Sequence, residues 1–215
     1  LVAISKCGGD VLFLNTGFGG PQVTQVLDRE GAHVLLHDAE FGGLLAEAST
    51  GRLVITTEEL SGLAESSDAS APTKSGRPTR MVLLTSGTTG APRGAARSGA
   101  SIDDVVTVLS RIPLRAGETT VIASPVFHAW GLAHLTMAML LGSTVVLQRT
   151  FKPEHVLAAI EANRATALIV VPVMLDRMLA VGTAGHDLSS LRVVASSGSA
   201  LPGELATRVL EAFGP

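Results

Sequence analysis

The stretch TSGTTGAPRG runs from Thr85 to Gly94 and follows the apolar, strand-like segment Met81 to Leu84. Glycines in such a stretch allow close backbone approach, and backbone N–H groups together with hydroxyl groups can surround polyphosphate oxygens. Arg93 adds a fixed positive charge that can pair with phosphate. The candidate phosphate-binding residues are Thr85, Ser86, Gly87, Thr88, Thr89, Gly90, Arg93 and Gly94.

Two other interpretations of this stretch have to be weighed. A Walker A loop contains Gly-Lys-Ser/Thr, whereas Gly90 is followed by Ala-Pro-Arg, so an ordinary P-loop NTPase is disfavoured. A Ser/Thr/Gly turn that only joins two strands is the commoner meaning of a Gly-rich loop. Other segments of the sequence are needed to distinguish a simple turn from a phosphate site.

Around this stretch, short runs of Val, Ile and Leu alternate with longer segments of helical spacing. The alternation predicts an α/β fold in which helices cover parallel or mixed sheets. The predicted strands are Val11–Asn15, Val34–Leu36, Leu53–Thr56, Met81–Leu84, Thr120–Ala123, Ser143–Leu147, Ala167–Val171 and Arg192–Ala195. The predicted helices are one from Pro21 to Gly31, then Phe41–Ala48, Ile102–Leu109, Ala129–Leu141, Pro153–Asn163, Pro172–Val181 and Pro202–Ala212.

Composition divides the chain into three predicted segments. Residues 1–60 read as a βαβ segment. Residues 61–79 are rich in Ser, Gly and Pro and read as a surface linker. Residues 80–215 carry the phosphate stretch and a longer series of strands and helices.

Two further segments follow predicted strands. SPVFHAWG runs from Ser124 to Gly131, and SSGSALP runs from Ser196 to Pro202. Taken alone, a single histidine is more often a structural residue than a catalytic one, and a strand–turn–helix connection is ordinary. Their order after Thr85–Gly94 gives them weight.

In this order the three segments resemble the motifs of the adenylate-forming superfamily, which includes acyl-CoA synthetases, aryl-CoA ligases, luciferases and peptide-synthetase adenylation domains. Thr85–Gly94 resembles the phosphate-binding motif (S/T)SGTTGxPKG, with Arg93 where the family usually has Lys. Ser124–Gly131 resembles the PxFHxxG motif of acyl- and aryl-CoA ligases. This resemblance implies His128 as a catalytic candidate on the substrate or CoA side and Trp130 as a candidate wall of the acyl pocket.

The segment Ser196–Pro202 resembles the GGAPL segment that packs on the adenine ring in the same superfamily. A flat base can lie against backbone only where side chains are small. The resemblance therefore implies an adenine site, with the candidate residues Ser197, Gly198, Ser199 and Ala200.

The reaction that the resemblance implies has two steps. A small carboxylic acid and ATP give acyl-AMP and pyrophosphate, and CoA then displaces AMP, with Mg²⁺ neutralising phosphate charge. Because the segment after His128 is rich in Leu, Met and Ala, an aliphatic acid is favoured, and we predict a fatty-acid–CoA ligase. An aryl- or other carboxylate–CoA ligase is one alternative, and a non-catalytic nucleotide-binding or self-associating module is another.

The resemblance also implies an incomplete part of the family's large N-terminal domain. Leu14-Asn-Thr resembles a loop well inside that domain, and the Tyr-Gly-x-Thr-Glu motif, whose Glu helps hold magnesium, does not occur in the sequence. We therefore expect the isolated chain to be inactive. We also expect it to associate with itself through an unpaired sheet edge.

Bulk composition argues against several other classes of protein. With 46% hydrophobic and 16% charged residues the chain reads as globular, and a net charge of −3 gives no reason to expect nucleic-acid binding. The apolar run Leu135–Leu147 is interrupted and is shorter than the ~20 residues of a transmembrane helix. The single Cys7 fits a cytoplasmic location. The histidines have no metal-like spacing, so we expect no protein metal site.

Overall fold

The computed structural model describes residues 1–68, 70–73, 75–85, 93–97, 107, 109 and 111–214. They belong to two units, Leu1–Gly99 and Ala100–Pro215. The linker predicted over residues 61–79 falls inside the first unit rather than between the units. Of the helix predicted over Ile102–Leu109, only Thr107 and Leu109 are described, so that prediction lies mainly outside the described residues.

The first unit contains two small sheets. Its described strands are β1 (Val11–Phe13), β2 (Val34–His37), β3 (Leu53–Thr56), β4 (Met81–Thr85) and β5 (Arg93–Arg97). Its described helices are α1 (Val2–Lys6), α2 (Gly20–Glu30) and α3 (Thr57–Ser66), with a 3-10 turn at Ala39–Phe41. One sheet has the order β1-β4-β5, with β4 parallel to β1 and antiparallel to β5, and the other is the parallel pair β2–β3.

The pairing in this unit corrects the predicted βαβ segment. β1 pairs with β4 and β2 pairs with β3, so β1 and β2 lie in different sheets. The helix between them is the predicted one, with Pro21 in its first turn and Gly31 as a left-handed cap at φ 66°. Local periodicity specifies this helix, but it carries no information on the partner of β1, which begins only at Met81.

The helix predicted over Phe41–Ala48 is absent among the described residues. The segment forms the 3-10 turn and then irregular turns. The adjacent Gly42 and Gly43 oppose a regular helix, because each glycine costs about 1 kcal/mol relative to alanine. Leu45 and Ala48 are nevertheless buried. The helical spacing of the apolar residues therefore reflects the burial of this segment and not an α-helix.

Helix α3 extends into the predicted linker as far as Ser66. Its start is fixed by a capping box, in which the Thr56 side chain accepts from Glu59 N–H and the Glu59 carboxylate accepts from Thr56 N–H. Glu58 and Glu59 therefore place two carboxylates in the first turn of the helix, where negative charge is favourable.

Hydrogen bonds of the Asp10 side chain link the amino ends of β1 and β4. Its carboxylate accepts hydrogen bonds from Arg80 N at 2.9 Å, Arg80 Nε at 3.0 Å, Arg80 Nη2 at 2.7 Å and Arg77 Nη2 at 2.5 Å. The hydrogen bonds from Arg80, followed by the positive charges of Arg77 and Arg80, lower the pKa of Asp10 from 3.8 to about 2. The phosphate stretch follows the opposite, carboxyl end of β4.

The second unit is built on one parallel sheet with the order β7-β6-β8-β9. Its strands are β6 (Thr119–Ile122), β7 (Thr144–Leu147), β8 (Ala167–Val170) and β9 (Val193–Ser196). Its described helices are α4 (Ala129–Leu140), α5 (Pro153–Ala162), α6 (Pro172–Val181) and α7 (Gly203–Phe213). All eight elements lie within one residue of their predicted bounds.

Helices cover both faces of this sheet. Helices α5, α6 and α7 share one hydrophobic cluster with Val121, Leu168 and Val170 of the strands. Ile122 and Ile169 alternate with those residues and so point to the opposite face. Helix α4 contacts β6, β7 and β8 but contributes no residue to that cluster, which places it on the second face.

The side chain of Glu118 links the amino ends of strands in this sheet, as Asp10 does in the first unit. Glu118 precedes β6, Thr166 precedes β8 and Arg192 precedes β9. Thr166 Oγ1 donates to Glu118 Oε2 at 2.9 Å, and Arg192 forms an ion pair with the same oxygen.

Across the part of the chain that the structure describes, no helix is both long enough and apolar enough to cross a membrane.

We predict that Asp10→Asn destabilises the first unit at neutral pH and that this difference from wild type shrinks in acid. Ionised Asp10 contributes stability that is complete above its unfolded pKa of 3.8 and is lost as pH falls through the folded value of about 2. Urea unfolding of both proteins at a series of pH values measures the effect. A difference in unfolding free energy that stays constant down to about pH 2 would contradict the prediction.

Candidate functional site

Two of the candidate segments lie at one edge of the parallel sheet in the second unit. Ser124–Gly131 follows β6, and Ser196–Pro202 begins at the last residue of β9. Since β6, β8 and β9 are parallel neighbours, their carboxyl ends meet at the same edge. Ligands of open α/β sheets bind at this edge.

His128 lies at the exposed start of helix α4. It is the N-terminal flanking residue of the helix, and its side chain makes no capping hydrogen bond. Its backbone N–H donates to Pro125 O at 3.2 Å, and its ring lies 4.5 Å from that of Phe127, centroid to centroid. The imidazole is therefore exposed at the carboxyl edge, where it is accessible to a ligand.

Gly131 allows helix α4 to begin directly against the segment that leads into it. A Cβ at this position would lie 2.5 Å from Pro125 O and 2.9 Å from Ser124 O, both backbone atoms. No side chain fits at such distances. The glycine of the PxFHxxG-like segment therefore has a packing reason that is independent of any ligand.

Trp130 connects the same segment to the neighbouring strand. Its indole Nε1 donates to the carbonyl oxygen of Val170, the last residue of β8, at 3.0 Å. The ring is half-buried and meets the imidazole of His134 edge to face, with centroids 4.1 Å apart. The sequence suggested Trp130 as a candidate pocket wall, and it did not predict this contact with His134.

His134 is a buried, neutral histidine. It is 2% exposed, and its Nδ1 donates to Trp130 O at 2.9 Å, because a carbonyl oxygen can only accept. Burial lowers the pKa of His134 from its ordinary value of 6.5, against a smaller opposing effect of this hydrogen bond. The charged imidazolium form is therefore disfavoured near neutral pH.

The candidate adenine segment is small and exposed. Gly198, Ser199 and Ala200 are exposed and Ser197 is half-buried. Gly198 has a φ of +98°, and an added Cβ would lie 3.4 Å from Val171 Cγ1. The backbone conformation, more than the space, therefore favours glycine here.

Polar atoms without protein partners collect at the same edge. Among the described residues, the buried atoms Ser124 Oγ, Gln148 Oε1, Ser196 Oγ and His134 Nε2 have no hydrogen-bond partner. Ser124 follows β6, Gln148 follows β7 and Ser196 ends β9, whereas His134 lies on helix α4. Sequence analysis missed Ser124 and Gln148 as site residues, although each stands just past an apolar strand, which is the signal that could have found them.

The phosphate stretch belongs to the first unit. Thr85 ends β4, and Arg93 and Gly94 begin β5, with Thr85 opposite Arg93 and Leu84 opposite Gly94 in the antiparallel register. Ser86, Gly87, Thr88, Thr89 and Gly90 lie outside the described residues. The structure therefore shows the stretch leaving one strand and entering its antiparallel neighbour.

With this geometry in view, a protein-family model described as AMP-binding enzyme matches residues 1–215. The chain belongs to the AMP-binding enzyme family. A feruloyl-CoA synthase from Amycolatopsis sp is 34% identical over 217 residues, which cover 98% of this chain and 43% of that relative. The chain thus spans less than half the length of this AMP-binding relative.

Solved structures confirm the predicted α/β fold. The inhibitor-bound N-terminal domain of FACL13 from Mycobacterium tuberculosis has a TM-score of 0.85 at 21% identity, covering 97% of this chain and 55% of that chain. O-succinylbenzoate Coenzyme A synthetase (MenE) from Bacillus subtilis, solved with AMP, has a TM-score of 0.84 at 25% identity, covering 98% and 44%. The predicted resemblance to the N-terminal domain of acyl-CoA synthetases is confirmed.

The described residues contain no group of three His, Cys, Asp or Glu side chains that could hold a metal ion.

We predict that Gly131→Ala destabilises the protein by about 1–3 kcal/mol, the usual cost of overpacking, because backbone atoms block the new methyl group. Gly203→Ala is the matched control, since Gly203 also lies in a helix but has nothing within 4 Å of the added Cβ. Helix propensity alone would stabilise both variants. Thermal unfolding measures the pair, and equal melting temperatures would contradict the packing argument.

Proposed function

We propose that the protein containing this chain is an ATP-dependent acid–CoA ligase. In the first step a carboxylate attacks the α-phosphate of ATP, giving acyl-AMP and releasing pyrophosphate. In the second step the CoA thiol attacks the acyl carbon, giving the thioester and releasing AMP. The observation that carries the proposal is the placement of two family-like motifs, Ser124–Gly131 and Ser196–Pro202, at one carboxyl edge of a parallel sheet.

The proposed roles of the residues follow from their chemistry. The hydroxyl and N–H groups of Thr85 to Gly90, with Arg93 and Gly94, would surround the phosphates of ATP. The small residues Ser197 to Ala200, exposed from Gly198 on, leave the surface open to a flat ring. The MenE relative was solved with AMP, which supports a nucleotide at this fold. His128 would contact the acid or CoA from the exposed start of α4.

The described residues offer no cluster of ligands for magnesium. Mg²⁺ would be carried by the phosphates of ATP.

The class of acid has to be argued from the residues after His128. Their apolar character led to the prediction of an aliphatic acid, yet Leu132, Met137 and Ala138 of α4 are buried at 5%, 7% and 2% exposure. Packing of the helix on the sheet already accounts for these side chains. The buried side chains of α4 therefore add no support for an aliphatic acid, which stays the prediction from the sequence. An aryl acid is the second candidate, favoured by the feruloyl-CoA synthase relative.

Pyrophosphate release across a panel of carboxylic acids tests the proposal. We expect the protein that contains this chain to release pyrophosphate only with ATP and a suitable acid, and to form a thioester when CoA is added. Fatty acids of increasing length and hydroxycinnamic acids separate the two candidate classes. No acid-dependent release with any acid would overturn the ligase proposal, and we expect the isolated 215-residue chain to remain inactive. Its cytoplasmic location and self-association stay predictions.

Arg93 provides a residue-level prediction for the same activity. Arg93→Ala should reduce adenylation by about tenfold to a hundredfold or raise the KM for ATP to match, because a hydrogen bond to a charged group contributes about 1.5–3 kcal/mol. Arg93→Lys should be milder, since the charge is kept. Arg97→Ala, at the other end of β5, is the matched control. Wild-type adenylation by both Arg93 variants would remove Arg93 from the site.

A further inference from the structure

At the carboxyl edge, a side-chain hydrogen bond of Trp130 joins the segment after β6 to the end of β8. Its Nε1 donates to Val170 O at 3.0 Å, and Val170 is the register partner of Ser196. Cγ1 of the next residue, Val171, lies 3.4 Å from the position that a Cβ on Gly198 would occupy. A single indole hydrogen bond therefore links the His128 segment to the strand end that supports the candidate adenine segment.

His134 contacts the same indole from the next turn of α4. The imidazole and indole rings meet edge to face at an interplanar angle of 63°. Trp130 O accepts the helical N–H of His134 in any case, so the additional bond from Nδ1 serves mainly to orient the imidazole. Contact with this oriented imidazole restricts the indole to one packed position, in which the indole N–H is directed at Val170 O.

We propose that Trp130 is a positioning residue that fixes the acid-side segment relative to the adenine-side segment, and that His134 holds its indole in place. The effect on acid binding rests on the proposed ligase function. The contact between the Trp130 and His134 rings does not depend on that function, because it is a property of the folded second unit. Trp130 acts here through its N–H group, which distinguishes this role from that of an apolar pocket wall.

The substitution Trp130→Phe separates these two roles. Phenylalanine keeps an aromatic surface for an acid to lie against but cannot donate to Val170 O. We expect the KM for the acid to rise about fivefold, the factor that corresponds to the loss of one ordinary hydrogen bond, while the KM for ATP stays unchanged. A general loss of stability would instead lower the active fraction and leave the KM for the acid where it was.

Fluorescence tests the role of His134 without any activity measurement. Trp130 is the only tryptophan of the 215-residue chain, so its emission anisotropy reports the freedom of this one indole. We expect His134→Ala to lower the anisotropy and to increase quenching by acrylamide. His134→Phe keeps a ring and should fall between alanine and wild type, whereas His134→Asn keeps a donor but no ring and should resemble alanine.

Thr136→Val is the matched control on the same helix. Thr136 Oγ1 donates to Leu132 O at 3.0 Å, which is the same bond to the carbonyl four residues earlier that His134 makes. Its removal should leave the indole signal unchanged. If Thr136→Val lowers the anisotropy as much as His134→Ala, the effect belongs to the helix and the proposal fails for His134.

The outcomes distinguish the inference from the proposed function. An unchanged KM for the acid in Trp130→Phe, with adenylation otherwise intact, overturns the positioning role while the ligase proposal stands. Absence of adenylation with every acid overturns the ligase proposal and the role in acid binding together. In that case the fluorescence comparison still decides whether His134 holds the indole.

Discussion

The carboxyl edge of the second unit depends on the register of its parallel strands. A shift of one residue would turn Val121 and Leu168 away from the helices that cover them, so the hydrophobic cluster opposes any slip. Glu118 adds a polar constraint at the other end, where Thr166 and Arg192 meet its carboxylate. With the amino ends aligned in this way, strands of equal length end at the same level. The segments that follow them then become neighbours, although they are far apart in sequence.

Helix α4 connects the aligned strand ends to the candidate site. Gly131 lets the first turn of the helix lie against the backbone of Ser124 and Pro125, so little freedom remains between the end of β6 and His128. A site residue placed just before a helix that is packed on a sheet inherits the rigidity of both elements. The exposed imidazole can therefore have a defined position without a hydrogen-bond partner of its own.

The limits of sequence reasoning follow from which constraints are local. The elements of the second unit were predicted because their periodicity and their initial prolines act over a few residues. The pairing of β1 with β4 depends on segments far apart in the chain, and β5, Arg-Gly-Ala-Ala-Arg, lacks the β-branched residues that mark a strand. For the candidate site, the motifs predicted His128 and Ser197 to Ala200, and their roles stay predictions. The indole bond of Trp130 to Val170 could not be predicted, since it depends on the packing of α4 over β8.

The two ends of the parallel sheet differ in how their polar groups are satisfied, and this difference favours the carboxyl end as the candidate site independently of any motif. At the amino ends, Thr166 Oγ1 donates to Glu118 and Ser190 Oγ donates to Ala165 O at 2.9 Å. At the carboxyl ends, Ser124 Oγ and Ser196 Oγ have no partner among the described residues. A buried polar group without a partner costs about 1–3 kcal/mol, so a fold selected for stability alone would satisfy both ends alike. The excess of unsatisfied hydroxyls at one end is the arrangement expected where a polar ligand completes the hydrogen bonds.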